Sequence, residues 1–460
     1  MSELAGSGVA DRYELQDRNR RRRAGAIDVL TWVSPAVAVA FFLADGGAYR
    51  FGTLDGILTS LGVVSGLLAT TAGCLMLIMS ARVPFLDRTL GQPEALQVHH
   101  RLGPWVVGGL ALHALFLTAG YAMRTRIGPV AQFQDFWSST PDFGWAVLGF
   151  VFLVAITVTS VLGAQRKLPY EAWHLTHALA YLAIAVSIPH QLSMGSLFYD
   201  QTPSRWYWLG MFAMTGGLLV GYRVLAPVLA SVRHRLVVTR VVTIGPGTVS
   251  IEMQSRDLAA LGARAGQYFH WRFLARGLWW HQHPFSLSAK PAGDTLRITV
   301  RQLGEGTAAL LRVRPGTRVA IEGPYGLFSD AARTKASVVL VGAGIGITPI
   351  RALLEDTYLQ PGRAAVILRA NTPEELYLLD EITDVCNKQG ASLKVLVGPP
   401  MPGRWVCPQR VDLLLTDLVP YVREADVFVC GPPGFTRAFL ADARALGVPA
   451  GQLHHERFCW

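Results

Sequence analysis

Six long stretches without Asp, Glu, Lys or Arg constrain this 460-residue chain more than any other feature of its sequence. About 20 consecutive apolar residues cross the hydrocarbon core of a bilayer as a helix, because lipid offers no partner for a free backbone polar group. The stretches therefore predict six transmembrane helices, the first and the last of marginal length. They are Val29 to Ala44, Gly56 to Ala81, Leu102 to Met123, Phe143 to Gln165, Ala172 to Tyr199 and Trp206 to Tyr222.

The composition agrees with a chain that lies partly in a lipid bilayer. Hydrophobic residues make up 51% of it and charged residues only 16%, which is too apolar for a disordered protein. The net charge of +10 is typical of loops that flank membrane spans, so no nucleic-acid partner is expected. The five cysteines are odd in number and show no CxxC motif, which argues against a disulfide scaffold and a Cys-ligated zinc site.

Basic residues near the spans lie mostly on one side of the predicted membrane. The side of the N-terminus has six arginines before the first span, followed by Arg82, Arg88, Arg166, Lys167, Arg223, Arg233 and Arg235. The other side has Arg50, Arg124, Arg126 and Arg205. The positive-inside rule therefore predicts a multi-pass protein with both termini in the cytoplasm.

The pattern changes from apolar helices to strands after about residue 230. Alternation around the turn at 245–247, with further short strands to about residue 330, predicts a small antiparallel β-barrel. From Ser337 onward strands alternate with helices, which predicts a parallel α/β sheet. The predicted fold is therefore multidomain. It comprises an N-terminal segment at 1–25, an all-α six-span domain at 26–225, the barrel at 235–330 and the α/β domain at 336–460.

Four histidines lie at or inside the third and fifth spans, where an ionisable side chain is costly and functional by default. His99 and His113 are 14 residues apart, about 40° short of four full helical turns and roughly 21 Å in rise, so their rings face one way at two depths. The third and fifth spans run in the same direction, which pairs His99 with His177 and His113 with His190. Neutral imidazole on both axial faces holds a low-spin haem iron, so the pattern predicts two b-type haems.

The spacing of the second pair conflicts with this arrangement. His177 and His190 are 13 residues apart, about 140° out of phase in an ideal helix, although Pro189 can distort the helix just before His190. His100 and His174 are rival ligands, and their spacings to the outer histidines are also out of phase. The alternative for all of these residues is hydrogen bonding between packed helices.

Two motifs in the barrel region indicate a flavin. The motif 283–286, His-Pro-Phe-Ser, follows the strand of Gln267 and Tyr268, and an aromatic ring beside a hydroxyl can cover a flavin ring and donate to its N5 atom. The segment 301–307 places an arginine and a glycine turn before a predicted helix, which forms a candidate pyrophosphate cradle. The alternatives are ordinary strand filling and a surface turn with a solvated arginine.

A glycine-rich loop at 342–349 is the stronger nucleotide signal. An apolar strand runs into glycines that let the backbone approach a phosphate, and Pro349 then opens a helix whose N-terminus favours an anion. It is not the strict GxGxxG pattern, and a plain strand-to-helix turn is the alternative. The next strand ends at Arg369 without an acidic residue for the ribose, which favours NADPH; Glu374 and Glu375 follow, so NADH stays an alternative.

Two further features lie near the C-terminus. Cys430-Gly431-Pro432 ends a later strand of the same predicted sheet, at the edge where α/β proteins bind ligands. Its alternative is a tight turn with a buried thiol. The aromatic Trp460 can stack on a flavin and be displaced by nicotinamide, and its alternative is a frayed tail.

In this order, from about residue 26 to Trp460, these pieces resemble the NADPH oxidase and ferric reductase superfamily: a six-span haem domain followed by a ferredoxin-NADP reductase-like module. In that family the third span contains a motif of a histidine, three residues and a glycine (Gly103 here), followed later by a second histidine. The two histidines of this motif bind haem. This favours His99 over His100, and the 13-residue spacing of His177 and His190 also occurs in relatives. The resemblance implies a prokaryotic cytoplasmic-membrane protein.

The resemblance also implies the roles of individual residues in the reductase module. His283 stands where plant-type reductases carry arginine, and it is expected near the FAD phosphates with Arg301, with Phe285 on the ring and Ser286 at N5. The residues assigned to FAD and the nicotinamide nucleotide are Gln267, Tyr268, His283, Pro284, Phe285, Ser286, Arg301, Gly306, Thr307, Gly323, Pro324, Gly342, Gly344, Gly346, Thr348, Pro349, Arg369, Cys430, Gly431, Pro432 and Trp460.

The expected activity is electron transfer from cytosolic NADPH, through FAD and two haems, to a small acceptor outside the cytoplasm. Ser286 and Cys430 are expected to place the nicotinamide against the flavin, and Trp460 to shield the ring until NADPH arrives. Ferric chelates, O2 and a redox partner are all candidate acceptors. A dinucleotide-regulated transporter or sensor without haem is the alternative, and it needs intramembrane acidic residues or broken helices that the spans hardly supply.

Overall fold

The computed structural model describes residues 2–165, 170–194 and 203–456, and these form two compact units. The membrane unit consists of Ala24–Val83 and Pro93–Arg223. The reductase unit takes in the described parts of Met1–Arg23, Pro84–Gln92 and Val224–Trp460. The segment between the second and third spans therefore belongs to the reductase unit, which the linear division of the sequence did not predict.

Six helices of the described chain are long and apolar enough to cross a membrane, as predicted. The helices that precede the barrel are α1 Ser2–Ala44, α2 Leu54–Ser80, α3 Pro84–Leu90, α4 Gln92–Thr125, α5 Pro129–Ser139, α6 Phe143–Ala164, α7 Tyr170–Met194, α8 Pro203–Val220 and α9 Ala226–His234. Helix α4 begins ten residues before the apolar stretch that predicted it, so His99 lies inside the helix. The predicted end of the fifth span, 195–199, lies outside the described residues.

The surface of the membrane unit is apolar because lipid is its expected solvent. Trp105 and Leu175, for example, are among its most exposed large side chains. Several hydroxyl groups inside these helices bond to the backbone of their own helix; Thr71, for example, donates to the carbonyl of Leu67 at 2.9 Å. Such local bonds satisfy a polar group where water is absent.

A six-stranded antiparallel sheet confirms the predicted barrel region. Its strands are β1 Leu236–Gly245, β2 Thr248–Gln254, β3 Tyr268–Phe273, β4 His283–Ser286, β5 Thr295–Arg301 and β6 Arg318–Tyr325, with the short helices α10 Leu258–Leu261 and α11 Glu305–Leu310. Their order is β4-β3-β6-β1-β2-β5, and a bridge between Leu287 and Ile298 joins the two edges. Strand β3 alternates between the core and the surface with period two, which buries Phe269, Trp271 and Phe273.

A five-stranded parallel sheet follows, as predicted, in the order β11-β10-β7-β8-β9. Its elements are β7 Ser337–Ala343, α12 Ile347–Asp356, β8 Ala364–Ala370, α13 Leu379–Gln389, β9 Ser392–Val397, α14 Leu415–Leu418, β10 Ala425–Cys430, α15 Pro433–Ala445 and β11 Leu453–Glu456. Strands β7, β8 and β10 are buried along their whole length, because both faces of a parallel sheet are covered. The short edge strand β11 was not predicted.

Candidate functional site

The first histidine pair lies between two helices of the membrane unit. The rings of His99 on α4 and His177 on α7 are 6.1 Å apart between centroids. Nδ1 of His99 is 3.1 Å from the carbonyl oxygen of Met76, and because a carbonyl only accepts, this nitrogen carries the proton. Nε2 of the neutral ring is then left with a free lone pair. Nδ1 of His177 lies 3.3 Å from Oγ of Ser160.

The second pair consists of His113 on α4 and His190 on α7. Nδ1 of His113 donates to the carbonyl of Gly62 at 2.8 Å, which fixes the ring in the same tautomer as His99. A Cβ at Gly66 would lie 2.5 Å from that nitrogen, so the second span can hold the ring only with glycine at this position. The buried Nδ1 of His190 has no hydrogen-bond partner among the described residues.

The first pair, His99 and His177, fits haem as bis-imidazole ligands. Two metal–imidazole bonds of about 2 Å each, with roughly 1 Å from each nitrogen to its ring centre, require about 6 Å between ring centroids. The first pair shows 6.1 Å. No cluster of three or more His, Cys, Asp or Glu that could hold a metal occurs among the described residues. The rivals His100 and His174 are exposed.

In the reductase unit, residues from both predicted nucleotide motifs line one narrow cleft. Phe285 and Ser286 enter it from the end of β4, and Arg301 from the end of β5. Ile345 and Thr348 reach the same cleft from the glycine-rich loop after β7. The fold therefore brings the flavin motif and the nicotinamide motif together.

His283 provides a second observation that fits FAD. Its Nε2 is buried without a hydrogen-bond partner among the described residues, and its ring stacks on Phe285 with centroids 5.8 Å apart. A Cβ at Gly306 would lie 3.0 Å from the ring, so this glycine lets the 301–307 turn approach it. Burial lowers the pKa of His283 to about 4, with a smaller effect of His281, so the side chain is neutral at pH 7. A neutral imidazole can offer a hydrogen bond to a phosphate group but no charge.

Arg301 is already engaged by an acidic residue. Its guanidinium lies 2.8 Å from a carboxylate oxygen of Glu375, which follows β8. Arg301, which is predicted to bind a phosphate, is thus held between the two sheets of the reductase unit. The same Glu375 accepts the backbone N–H of Asn371 at 3.2 Å.

The glycine-rich loop packs against the turn after β10. A Cβ at Gly346 would lie 2.4 Å from the carbonyl oxygen of Cys430, so the two loops approach each other closely. Gly344 adopts φ +54°, a left-handed conformation that favours glycine. Thr348 donates to the carbonyl of Ile345 at 2.9 Å, which closes the first turn of the loop. Burial raises the pKa of the Cys430 thiol, so it is neutral.

Arg369 differs from the expectation that it faces a 2′-phosphate. Its side chain is buried, and its terminal nitrogens donate to the carbonyl oxygens of Ala370 and Pro399. Burial lowers the pKa of its guanidinium. These bonds hold the loops after β8 and β9 together and use donors that a phosphate would need.

Glu456 at the end of β11 was missed by the sequence analysis. Its Oε2 accepts a hydrogen bond from Oγ of Ser286 at 3.1 Å, and Asp87 of α3 accepts the N–H of the neighbouring Gly326 at 3.2 Å. Burial raises the pKa of Glu456 to about 8; the bond from Ser286 lowers it and the charge of Asp87 raises it further. In the parallel register Glu456 lies opposite Cys430, which is how the sheet brings it to the site.

The remaining residues predicted to bind FAD or the nicotinamide nucleotide lie in the strands of the two sheets or in the segments next to them. Tyr268 donates to Oε1 of Gln92 at 3.2 Å, and Oε1 of Gln267 accepts from the N–H of Arg264 at 2.9 Å. Thr307 accepts the N–H groups of Leu303 and Gly304. Pro284 lies in β4, Gly323 and Pro324 lie in β6, Gly342 lies in β7, Pro349 lies in α12, and Gly431 and Pro432 follow β10. Trp460 lies outside the described residues.

Three family models match the chain in the predicted order. The model described as a ferric reductase like transmembrane component matches residues 65–188. The models described as a FAD-binding domain and an oxidoreductase NAD-binding domain match residues 234–329 and 340–440. The first match contains three of the four proposed haem ligands, His99, His113 and His177, but not His190.

Similar proteins include flavohemoproteins and oxidases. The flavohemoprotein of Xylella fastidiosa is 29% identical over 213 residues, which cover 42% of this chain and 51% of that protein. Dual oxidase 2 of Rattus norvegicus is 24% identical, with 62% of this chain and 20% of that protein covered. Respiratory burst oxidase homolog protein D of Arabidopsis thaliana is 25% identical, with 57% and 33% covered. The chain thus spans about half the length of the flavohemoprotein and less of the two oxidases.

Proposed function

Because the chain belongs to the NADPH oxidase and ferric reductase superfamily, we propose that it transfers electrons from cytosolic NADPH across the membrane to a small acceptor. FAD would accept the two electrons of a hydride and two haems would relay single electrons. The observation that supports this most is the His99–His177 pair at 6.1 Å, in a chain whose other half matches FAD- and NAD-binding domains.

In this proposal the membrane unit orients its four histidines before any ligand arrives. The carbonyls of Met76 and Gly62 on α2 accept hydrogen bonds from Nδ1 of His99 and His113, respectively. The Nε2 lone pair of each ring is therefore directed away from α2. A hydrogen bond at the second nitrogen also raises the basicity of the ligating one. His177 and His190 complete the two pairs from α7.

Ser286 and Glu456 are proposed to hold and move a proton beside the flavin. The hydroxyl of Ser286 donates to Glu456, and a carboxyl group with a pKa of about 8 can gain or lose a proton near neutral pH. Asp87 keeps the proton on Glu456 by its negative charge. Cys430, neutral and opposite Glu456 in the sheet, is proposed to shape the nicotinamide end of the cleft.

NADPH is proposed over NADH, with the glycine-rich loop around its phosphates. Support comes from the end of β8, where Arg369 stands in place of an acidic residue. Its two carbonyl bonds are the main argument against a direct phosphate contact, and NADH stays the alternative. The terminal ring of Trp460 remains a predicted shield of the flavin.

The acceptor is proposed to be a small oxidant at the extracytoplasmic end of the haem pair, either a ferric chelate or O2. Arg124 and Arg126 at the end of α4 are exposed and positively charged. They would attract an anionic ferric chelate through long-range electrostatics. Both termini are proposed to lie in the cytoplasm, on the strength of the arginine distribution.

An optical spectrum tests the proposal as a whole. Protein purified from haem-replete cells is expected to show b-type haem bands at about two haems per FAD, which NADPH reduces without oxygen. Reoxidation by ferric chelates and by O2 then identifies the acceptor. A preparation that binds FAD but shows no haem would contradict the proposal and leave a membrane-anchored flavin reductase or a dinucleotide-regulated transporter.

Replacing Glu456 by glutamine is expected to remove a pH dependence of stability. The folded pKa of about 8 lies above the ordinary 4.5, so the folded state keeps a proton that the unfolded chain loses. The resulting stabilisation is complete below pH 4.5 and disappears as pH rises through 8. The melting temperature of the wild type should therefore fall more between pH 5.5 and 8.5 than that of E456Q. The exposed Asp384 offers a control, D384N, which makes the same carboxyl-to-amide change at the surface and should keep the pH profile of the wild type. Equal profiles for E456Q and the wild type would refute the assignment.

A further inference from the structure

A cavity of about 570 Å³ lies between α9 and the antiparallel sheet. Arg235, Arg256 and Arg318 line it together with the apolar side chains of Val232 and Leu274. All of these residues belong to the reductase unit. The cavity therefore combines three positive charges with apolar walls.

The three arginine side chains are exposed and form no ion pair with the described acidic residues. Arg235 donates Nε to the carbonyl of Val232 at 3.2 Å, which leaves its terminal nitrogens free to contact a ligand. The nearby Arg233, by contrast, pairs with Asp257 at 3.1 Å. The cavity therefore carries uncompensated positive charge.

The cavity is not the flavin site. Leu236 begins β1 beside the cavity and pairs with Val319. Gly245 ends β1 and pairs with Thr248, which pairs with Arg301 on its other side. The ten residues of β1 span roughly 30 Å, so the cavity and the 301–307 turn lie at opposite ends of this strand. A phosphate of FAD bound at the 301–307 turn would not occupy this cavity.

The length of the last span places the cavity at the depth of lipid headgroups. The last span, Pro203–His234, comprises α8, a π-helical segment at Gly221–Leu225 and α9, and its 32 residues are about 48 Å long. A bilayer with both headgroup layers is about 40–45 Å thick. A helix that begins at one surface therefore ends among the headgroups of the other, beside Arg235.

The surroundings of the cavity are apolar and exposed. Val228, Leu229 and Val232 form one face of α9, and Leu229 is 66% exposed. Leu274 opens a loop that also exposes Trp279 and Trp280, at 62% and 58%. Tryptophan is enriched at the membrane–water interface, where an apolar ring and a polar N–H are both satisfied.

We propose that this cavity binds the headgroup of an anionic phospholipid. Arg235, Arg256 and Arg318 contact the phosphate, and the acyl chains lie along the exposed face of α9. Guanidinium groups suit this role because they match the geometry of phosphate oxygens. The site is independent of the proposed electron transfer, and it would attach the reductase unit to the membrane surface.

The test measures lipid binding by the full-length protein in neutral detergent. Native mass spectrometry and thermal melting are followed while phosphatidylglycerol, phosphatidylcholine or inorganic phosphate is added. We expect phosphatidylglycerol alone to stay bound and to raise the melting temperature. Equal binding of phosphatidylcholine, or equal protection by inorganic phosphate, would overturn the proposal.

A triple variant and a matched control assign the binding to this cavity. Each arginine near an anionic surface contributes about fivefold in affinity, so R235Q/R256Q/R318Q should bind phosphatidylglycerol about a hundredfold more weakly. R240Q/R312Q/R314Q removes the same charge from exposed positions outside the cavity and should bind like the wild type. An equal loss in both variants would overturn the assignment. If the first variant does not fold, R256Q and R318Q singly should each lose about fivefold, and unchanged affinity in both would refute the site.

Discussion

Replacing His113 by alanine is expected to remove one of the two proposed haems and to stop electron transfer to the proposed extracytoplasmic acceptor. The variant loses a proposed haem ligand whose Nδ1 donates to the carbonyl of Gly62 and whose ring fits closely against Gly66. The haem-to-FAD ratio should fall from about two to about one, because a bis-imidazole site needs both ligands. Reduction of a dye by NADPH through FAD should continue, since the reductase unit is unchanged. Pyridine haemochrome assays and dye reduction measure the two effects.

The rival histidines provide the control for this prediction. His100 and His174 are exposed side chains on the same two helices as the proposed ligands. H100A and H174A should therefore keep the full haem content. Full haem content in H113A, or loss of haem in either control, would overturn the proposed ligand set.

Replacing Gly346 by alanine is expected to damage both stability and NADPH use. The added Cβ would meet backbone atoms of Cys430 and Gly431 at 2.4–2.6 Å, and backbone cannot rotate away as a side chain can. Such overpacking costs about 1–3 kcal/mol and would separate the glycine-rich loop from the turn after β10. We expect a melting temperature lower by several degrees and a KM for NADPH raised about tenfold or more.

Gly434 serves as the matched control, because it lies in the same motif region but a Cβ there meets no atom within 4 Å. It is exposed in the first turn of α15, so G434A should be neutral or slightly stabilising. If G346A melted like G434A and kept its KM for NADPH, the close packing of the two loops would not matter for the site.

The periodic features of this chain were predictable because they depend on interactions between residues that are close in the sequence. Apolar stretches of membrane length predicted all six spans, and the change to strand alternation predicted an antiparallel and then a parallel sheet. Helix geometry alone predicts that His99 and His113, which are 14 residues apart, face the same way. The glycines of the loop after β7 were recognised because a backbone that approaches a phosphate excludes side chains.

Contacts between distant segments were decided only by the tertiary structure. Glu456 lies on a four-residue edge strand with no periodic signal, and it reaches Ser286 only because β11 pairs with β10. Asp87 lies between two membrane spans in the sequence, yet it belongs to the reductase unit beside Gly326. The proposed proton-holding group of the site could therefore not be predicted from sequence patterns.

The sequence by itself determined which residue types are available: histidines at membrane depth, glycines at strand ends and arginines at the ends of spans. The tertiary structure decided which of them meet and in what state. It brought His177 within 6.1 Å of His99, it engaged Arg369 with two backbone carbonyls, and it buried Glu456 enough to raise its pKa to about 8. The physical reason is that burial and hydrogen bonding depend on segments far apart in the chain, whereas helix and strand patterns depend on near neighbours.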